Sequence, residues 1–399
     1  MLNSDERRVE FKVLETYLKE NPSTYYVEKD KSVLKKIESY SKRLYTNSLK
    51  LLPGIFKNAK LLEFGIGTGE RSLSFLKWDA DCTFVEINKK AVDRAAFLMK
   101  HFYPGANYKL VNCSLFDYQS DEKFDITVSN AVLHHTPDKE KGFQKLVSYL
   151  KPGGINVIGI GNTGSCIQRN LKRLIVFSFA GKDEKRIAEV AEDLFKEYID
   201  RAEKYGGRSR KAIIYDTYVN PKMDFISIRE LFTWYEKYDL HHFSSWPPIE
   251  PTFLADGLPG NFKWKDYPEV LSLPEWVWGT QIKQDKYFLE EINRKVADQT
   301  ASFRRLAGAL NDIQADKIDT GFVKECAKET KSRFSTEPIN LRKMRNIEGF
   351  LNEIALLLTH IENRDYEKTR NLVTNSKLLF RGKAGIGLNY FAAIKDESS

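Results

Sequence analysis

The central part of this sequence predicts an α/β fold with a doubly wound, mostly parallel sheet, preceded by a helical segment and followed by a large helical elaboration. Three observations carry that expectation. Short apolar runs alternate with amphipathic stretches of helical period between about residues 58 and 161. Leu61, Leu62, Glu63 and Phe64 lead straight into glycines at alternate positions, Gly65, Gly67 and Gly69. The next apolar run, Cys82 to Val85, ends on a second acid, Glu86. A buried strand feeding a glycine turn and then a helix lets backbone approach a ligand closely, and an acid ending the neighbouring strand suits two ribose hydroxyls.

Taken in order, residues 1–57 read as helical. Val9, Val13, Leu14 and Tyr17 share one face, as do Val33, Ile37, Tyr40, Leu44 and Leu51. Pro53 and Gly54 mark a boundary before the first strand. Strands are expected near 60–65, 81–87, 107–112, 124–129 and 154–160, with helices near 69–77, 88–101 and 138–150. Pro152, Gly153 and Gly154 end the last of these helices and open a β-branched run. Ligands of such sheets sit at the carboxyl ends of the strands. Gly65, Glu86, the turn at 112–114, Asn130 and Gly161 all fall there.

Beyond strand five the pattern leaves the minimal fold. Residues 183–205 form a strongly amphipathic helix through Ile187, Val190, Ala191, Leu194, Tyr198 and Ala202. The stretch 165–210 reads as an insertion that either caps the site or docks on the core. A helix over 226–235 has Ser227 as its N-cap. Residues 240–246 read as strand six, and an aromatic stretch with Trp264, Trp276 and Trp278 follows. Those tryptophans suit an aromatic wall for a ligand or ordinary packing. From 280 to 380 the period is helical, clearest in Ile347, Phe350, Leu351, Ile354, Leu358 and Ile361. Residues 387–395 then read as a strand. It is expected to pair antiparallel with strand six, which makes the helical region an insertion between the two. The expected division is a helical segment at 1–57, a core at 58–247, a helical and possible substrate region at 248–383, and a last strand within 384–396.

The chain has 399 residues, 42% of them hydrophobic and 30% charged, and its mean hydropathy is -0.47. No apolar stretch approaches the roughly 20 residues that a membrane span needs. The charged start of the sequence has no apolar signal-peptide region, and a cytoplasmic location is expected. Cys82, Cys113, Cys166 and Cys326 are scattered without ligand spacing, so reduced thiols and no metal site are expected. The net charge of +8 is spread along the chain. It fits a lysine-rich solvated surface, or an anionic partner such as nucleic acid, a phosphorylated substrate or a membrane surface.

The glycine spacing separates two cofactor classes. A dinucleotide fingerprint would need its third glycine at Glu70. The G-x-G-x-G spacing with Glu63 ahead of it resembles motif I of the class I S-adenosylmethionine (SAM) methyltransferases. Residues 124–135 resemble the fourth strand of that family and its "VLHH" exit, and residues 150–158 resemble its "LKPGG" turn. The resemblance covers roughly residues 55 to 247. It implies a Rossmann-like sheet and SAM as cofactor. It assigns Glu63 to the methionine amino end and Phe64, Gly65, Gly67 and Gly69 to the turn beneath the cofactor. It assigns Glu86 and Ile87 to the ribose side, Ser114 and Leu115 to the adenine side, and Asn130 to the methionine side. The family often has an acid after strand three where Ser114 stands here, which puts the adenine contact in doubt and makes Asp117 a substitute.

Methyl transfer from a sulfonium needs chiefly alignment of donor and acceptor, and a general base helps hydroxyl acceptors. His134 and His135 are candidates for that base, since imidazole titrates near neutrality. Asp216, with Tyr215 and Tyr218 beside it, lies in a stretch similar to one near the acceptor in small-molecule relatives. The overall plan is similar to the ubiquinone-biosynthesis type. Residues 234–248 are similar to long relatives linked to surface-polysaccharide or secondary-metabolite pathways. The preferred expectation is methyl transfer to an oxygen or nitrogen of a small molecule, such as a sugar or secondary metabolite. Two alternatives stay open: an RNA or protein methyltransferase, and a catalytically silent SAM-binding scaffold. Against RNA, the strand-four exit Ser129-Asn130-Ala131-Val132 lacks the (D/N)-P-P-(Y/F) grip on a base amine. The oligomeric state is left open by the sequence.

Overall fold

The computed structural model describes residues 2–21, 23–206, 208–249, 275, 297–335, 341–376, 378–380 and 388–397. The stretch with Trp264, Trp276 and Trp278 lies outside the described residues. Two helices come first, α1 (Ser4–Lys19) and α2 (Lys31–Lys42). Asn3 caps α1 by accepting from the amides of Asp5 and Glu6, and Asp30 caps α2 through Ser32.

The alternating region follows: β1 (Lys60–Phe64), α3 (Leu73–Lys77), β2 (Asp81–Glu86), α4 (Lys89–Phe102), β3 (Tyr108–Asn112), β4 (Phe124–Asn130), α5 (Lys139–Ser148) and β5 (Leu150–Gly161). Helix α3 is shorter than the 69–77 expected. Residues 69–72 are spent on the turn, and the Ser72 hydroxyl donates to Glu63 at 2.6 Å instead of capping the helix. Strand β5 begins earlier than expected, at Leu150, and a register shift between Phe124 and Ile126 absorbs the Pro-Gly-Gly stretch.

After β5 come α6 (Ile167–Ala180), α7 (Glu184–Gly206), α8 (Arg210–Ile214), α9 (Ile228–Lys237) and β6 (Leu240–Trp246). Then follow α10 (Ala297–Asn311), α11 (Thr320–Ser335), α12 (Leu341–Glu362), α13 (Tyr366–Asn375) and β7 (Leu388–Lys395). Ser227 caps α9 through the Glu230 amide.

The strand order is β3-β2-β1-β4-β5-β7-β6. Strands β1 to β5 pair in parallel, and β7 is antiparallel to both β5 and β6. This is a Rossmann-like sheet with a helical elaboration. Alternation along each strand divides its side chains between two cores. Leu61, Phe84, Ile126, Val128, Val157 and Ala392 face one, with α3 and α4. Leu62, Phe64, Val85, Ile158, Ile160 and Phe391 face the other, with α5 and α9. A third cluster joins α6 and α7 to α10–α13, and the whole stripe from Ile347 to Ile361 lies in it. Helix α7 is interrupted at Phe195 (φ -122°, ψ 26°), whose ring stacks on Tyr218 at 5.9 Å.

Candidate active site

The sheet switches direction between β1 and β4, and a crevice opens there at the strand carboxyl ends. It holds a cavity of about 820 Å³. One wall is the turn after β1. Gly65 (φ 76°) and Gly67 (φ 56°) take a left-handed conformation that a side chain resists. A Cβ at Gly65 would lie 2.2 Å from Val132 Cγ2, and one at Gly67 would lie 2.2 Å from Ser23 Oγ. Ala131, which follows β4 on the same wall, is also left-handed at φ 62°, a strained value for a residue with a Cβ.

Two acids face this wall. Glu86 accepts the Gly67 amide at 2.9 Å through one oxygen and the Asn88 amide at 2.8 Å through the other. Each oxygen keeps a lone pair for a further donor. Burial raises the Glu86 carboxyl, although these amides oppose the shift. Glu63 is 3% exposed, and burial pushes it up to about 7 against the Ser72 hydroxyl bond. Beside it, Asn130 donates to the Tyr45 hydroxyl at 3.4 Å, while its buried Oδ1 has no partner. An orphaned buried acceptor on a cavity wall is a place for a ligand donor.

The N-terminal segment forms a further wall of the crevice. Ser23 Oγ accepts the Thr68 amide at 3.0 Å, and the Tyr25 amide donates to Glu70 at 3.1 Å. Arg94 holds Glu28 and Glu70 together at 2.8 and 3.0 Å. Arg71, two residues after Gly69, donates to the hydroxyls of Tyr390 (3.1 Å) and Tyr25 (3.3 Å). Tyr17, Tyr25 and Tyr40 all line the cavity.

The far end carries the histidines. They occupy a 3-10 turn after β4, Leu133–His135, and both line the cavity. The rings lie 4.1 Å apart. His135 Nδ1 is 2.8 Å from the Lys222 carbonyl. A carbonyl only accepts, so we assign the proton of the neutral ring to Nδ1, which leaves the lone pair on Nε2. Asn220 sits 3.1 Å from the same nitrogen and donates to the Tyr17 hydroxyl at 2.8 Å. Burial lowers the pKa of His135, which the Asp216 charge partly offsets, and burial lowers His134 further. Asp216 pairs with Arg208 at 3.1 Å. Burial works to raise its carboxyl, yet the charges of Arg208 and Arg169 hold it below the usual carboxylate range.

Among the residues singled out from sequence, Glu63, Gly65, Gly67, Glu86, Ile87, Leu115, Asn130, His134, His135 and Asp216 border this one cavity. Phe64, Gly69 and Ser114 do not. Phe64 follows Glu63 on a strand and so points to the opposite core, edge-on to Tyr118 and Tyr149. Gly69 backs onto Ala95 of α4. The Ser114 hydroxyl is buried and donates to Glu10. Asp117, the substitute acid, pairs with Arg7, and Tyr218 is fully buried in the helical core. Sequence reasoning missed Tyr17, Ser23, Tyr25 and Tyr40, as well as Arg71, Arg169 and Tyr390. The N-terminal residues carry no motif, and only Arg71 stood near one.

Comparison with known proteins finds similarity over the central region. Residues 62–156 match a family model described as a methyltransferase domain. A polyketide synthase-nonribosomal peptide synthetase of Aspergillus clavatus is 29% identical over 107 residues, which is 25% of this chain and 3% of that protein. The chain thus spans a small fraction of the curated relative it matches. The N-methyltransferase NodS from Bradyrhizobium japonicum WM9, solved with S-adenosylhomocysteine, is 17% identical with a TM-score of 0.30, covering 41% of this chain and 76% of that one. The glycopeptide N-methyltransferase MtfA, also solved with S-adenosylhomocysteine, is 16% identical with a TM-score of 0.28, covering 31% and 52%.

Proposed function

We propose that this chain, whose residues 62–156 match a methyltransferase domain, transfers a methyl group from SAM to an oxygen or nitrogen of a small molecule. The observation that carries this is a cavity bordered by the glycine turn, the His134–His135 turn and the N-terminal segment. A cavity of about 820 Å³ is in the range of small-molecule sites. Among the described residues no helix is long and apolar enough to cross a membrane.

SAM, when bound, supplies a methyl group on a sulfonium, which makes that carbon electrophilic. The protein's residues do the rest. Glu86 keeps free lone pairs for two hydroxyl donors, as a ribose presents. Glu63 and the orphaned Asn130 Oδ1 supply acceptors for an ammonium. The segment from Tyr17 to Tyr25 excludes water. His135 Nε2 takes the acceptor's proton as its nucleophilic atom attacks, because the lowered pKa keeps the ring neutral near pH 7. His135→Gln should therefore lower kcat by roughly 10²–10⁴-fold with little change in cofactor affinity. An equal loss from His134→Gln, with none from His135→Gln, would move the role to the neighbouring ring.

The test of the reading is calorimetric titration with S-adenosylhomocysteine, followed by mass-spectrometric detection of methyl transfer to a panel of small hydroxyl and amino compounds. Absence of saturable binding would sink it, and methylation of RNA or protein alone would transfer it to the macromolecular reading. The same titration has an expected pH dependence. Glu63 is raised to about 7 in the free protein, and an ammonium favours its ionised form. Affinity should fall roughly tenfold from pH 8 to pH 6, with proton release visible as a buffer-dependent heat. The sign for stability is opposite. The folded apo protein holds this proton above the ordinary value of 4.5, so the group costs stability as pH rises toward 7. Glu63→Gln should remove both effects, and a flat profile in the wild type would contradict this role for Glu63.

A further inference from the structure

The far end of the cavity is richer in cations than the chemistry above requires. Helix α6 carries Arg169, Lys172 and Arg173 within five positions, the last two buried and Arg169 half-buried on the cavity wall. Two of them are accounted for. Arg173 donates to the carbonyls of Thr217 (3.0 Å) and Asn220 (3.1 Å). Lys172 sits over the Tyr198 ring at 3.4 Å, and burial together with the Arg169 charge pushes it down to about 7. Arg169 is different. Its side chain lines the cavity, yet it makes no ion pair and no hydrogen bond with any described residue. Asp216, the acid whose charge reaches it, is bonded to Arg208.

The other acids on the cavity wall are engaged too. Glu10 is held by Arg7, and Glu70 by Arg94. Glu86 is held by two amides. Arg169 is partly exposed to the cavity, and the charge of Asp216 helps raise its pKa, so it presents a charged guanidinium whose five N–H donors are open to a ligand. Such a group is retained where a ligand completes it. Its fork geometry matches a carboxylate or a phosphate.

We propose that Arg169 anchors an anionic group, a carboxylate or a phosphate, on the methyl acceptor. The proposal rests on the methyl-transfer reading above and names the acceptor's chemical class. Arg169 is close enough to His135 for its charge to act on that ring, so the anchor lies at the proton-accepting end. The end with the glycine turn has its own guanidinium, Arg71, whose charge acts on Glu63. The acceptor would then be an anionic small molecule whose nucleophilic oxygen or nitrogen reaches His135 while its acid group pairs with Arg169.

The experiment is thermal unfolding of the full chain, with and without S-adenosylhomocysteine, in tens of millimolar sodium phosphate, sodium acetate or sodium chloride at matched ionic strength. Both oxyanions are small enough to enter the site, and comparing them distinguishes a phosphate from a carboxylate acceptor. At least one should raise Tm by roughly 2 °C or more over chloride. Arg169→Met should abolish that rise while lowering the Tm of the anion-free protein only slightly, because Asp216, the acid its charge reaches, keeps its ion pair with Arg208. Arg169→Lys should keep part of the response. Equal responses in wild type and Arg169→Met, or none in wild type, would overturn the proposal. So would a large Tm loss in anion-free Arg169→Met, which marks a structural arginine. If Arg169→Met instead weakens S-adenosylhomocysteine binding more than threefold, the guanidinium serves the cofactor and the acceptor assignment falls. Wild-type protein that binds no S-adenosylhomocysteine fails the methyl-transfer reading itself. That result is distinct from the anion response, and the acceptor assignment falls with it.

Discussion

Glu86→Ala should weaken S-adenosylhomocysteine binding by at least about a hundredfold, measured by calorimetry near pH 8. In the proposed role its carboxylate would accept two hydroxyls, and charge-assisted hydrogen bonds contribute about 1.5–3 kcal/mol each. The same carboxylate also ties the glycine turn to the start of α4, through the amides of Gly67 and Asn88. Removing it orphans both amides, so the mutant loses the shape of the turn as well as the acceptor. Glu86→Gln separates the two contributions. Its amide oxygen can still accept one backbone N–H, but its NH₂ group cannot accept a hydroxyl. It should therefore retain most of the thermal stability of the wild type and still lose most of the affinity. An affinity within threefold of wild type in both variants would remove Glu86 from the site.

What the sequence made legible here was whatever is encoded locally. The glycine turn, the acid ending β2 and the alternation of strands and helices are short-range patterns, and each needs only its own residues. Ser227 capping α9 is legible for the same reason. Two of the residues that lie off the cavity do so by direction. Phe64 is next to Glu63 in sequence, and therefore on the other face of the sheet. Ser114 lies beside Leu115, yet its hydroxyl turns to Glu10, a partner 104 residues away. The N-terminal wall of the site was not legible. Ser23 and Tyr25 reach the glycine turn through contacts some 45 residues long, Ser23 to Thr68 and Tyr25 to Glu70. The helical periodicity of Tyr17 announces only a buried face, and Ser23 and Tyr25 lie beyond that helix. Arg169 was hidden for a related reason. On a helix as apolar as α6 a basic residue reads as solvated, and only the tertiary arrangement shows that it faces the cavity.

Asp216 was a candidate catalytic residue by resemblance, and the geometry gives it a test of its own. Its partner Arg208 is 3.1 Å away, and the two side chains are 15% and 23% exposed. Arg169 and Arg173 add further positive charge nearby, and both lower the pKa of His135 while Asp216 raises it. Asp216→Ala would therefore leave several cations facing one another in a poorly hydrated space. Breaking a buried ion pair from one side costs about 3–5 kcal/mol. Partial exposure reduces that here, so a loss of about 2–4 kcal/mol is expected in denaturant unfolding. Arg208→Met combined with Asp216→Leu should recover much of the loss, since removing both partners leaves no uncompensated charge. The pH dependence has a definite sign. A carboxyl whose folded pKa lies below its ordinary 3.8 stabilises fully above that value, and the contribution disappears as pH falls through the lower folded value. Wild type and Asp216→Ala should differ at pH 7 and converge in strong acid. If Asp216→Ala instead keeps full stability and loses only turnover, Asp216 acts on the acceptor directly. In that case the Arg208 pair contributes to chemistry rather than to the fold.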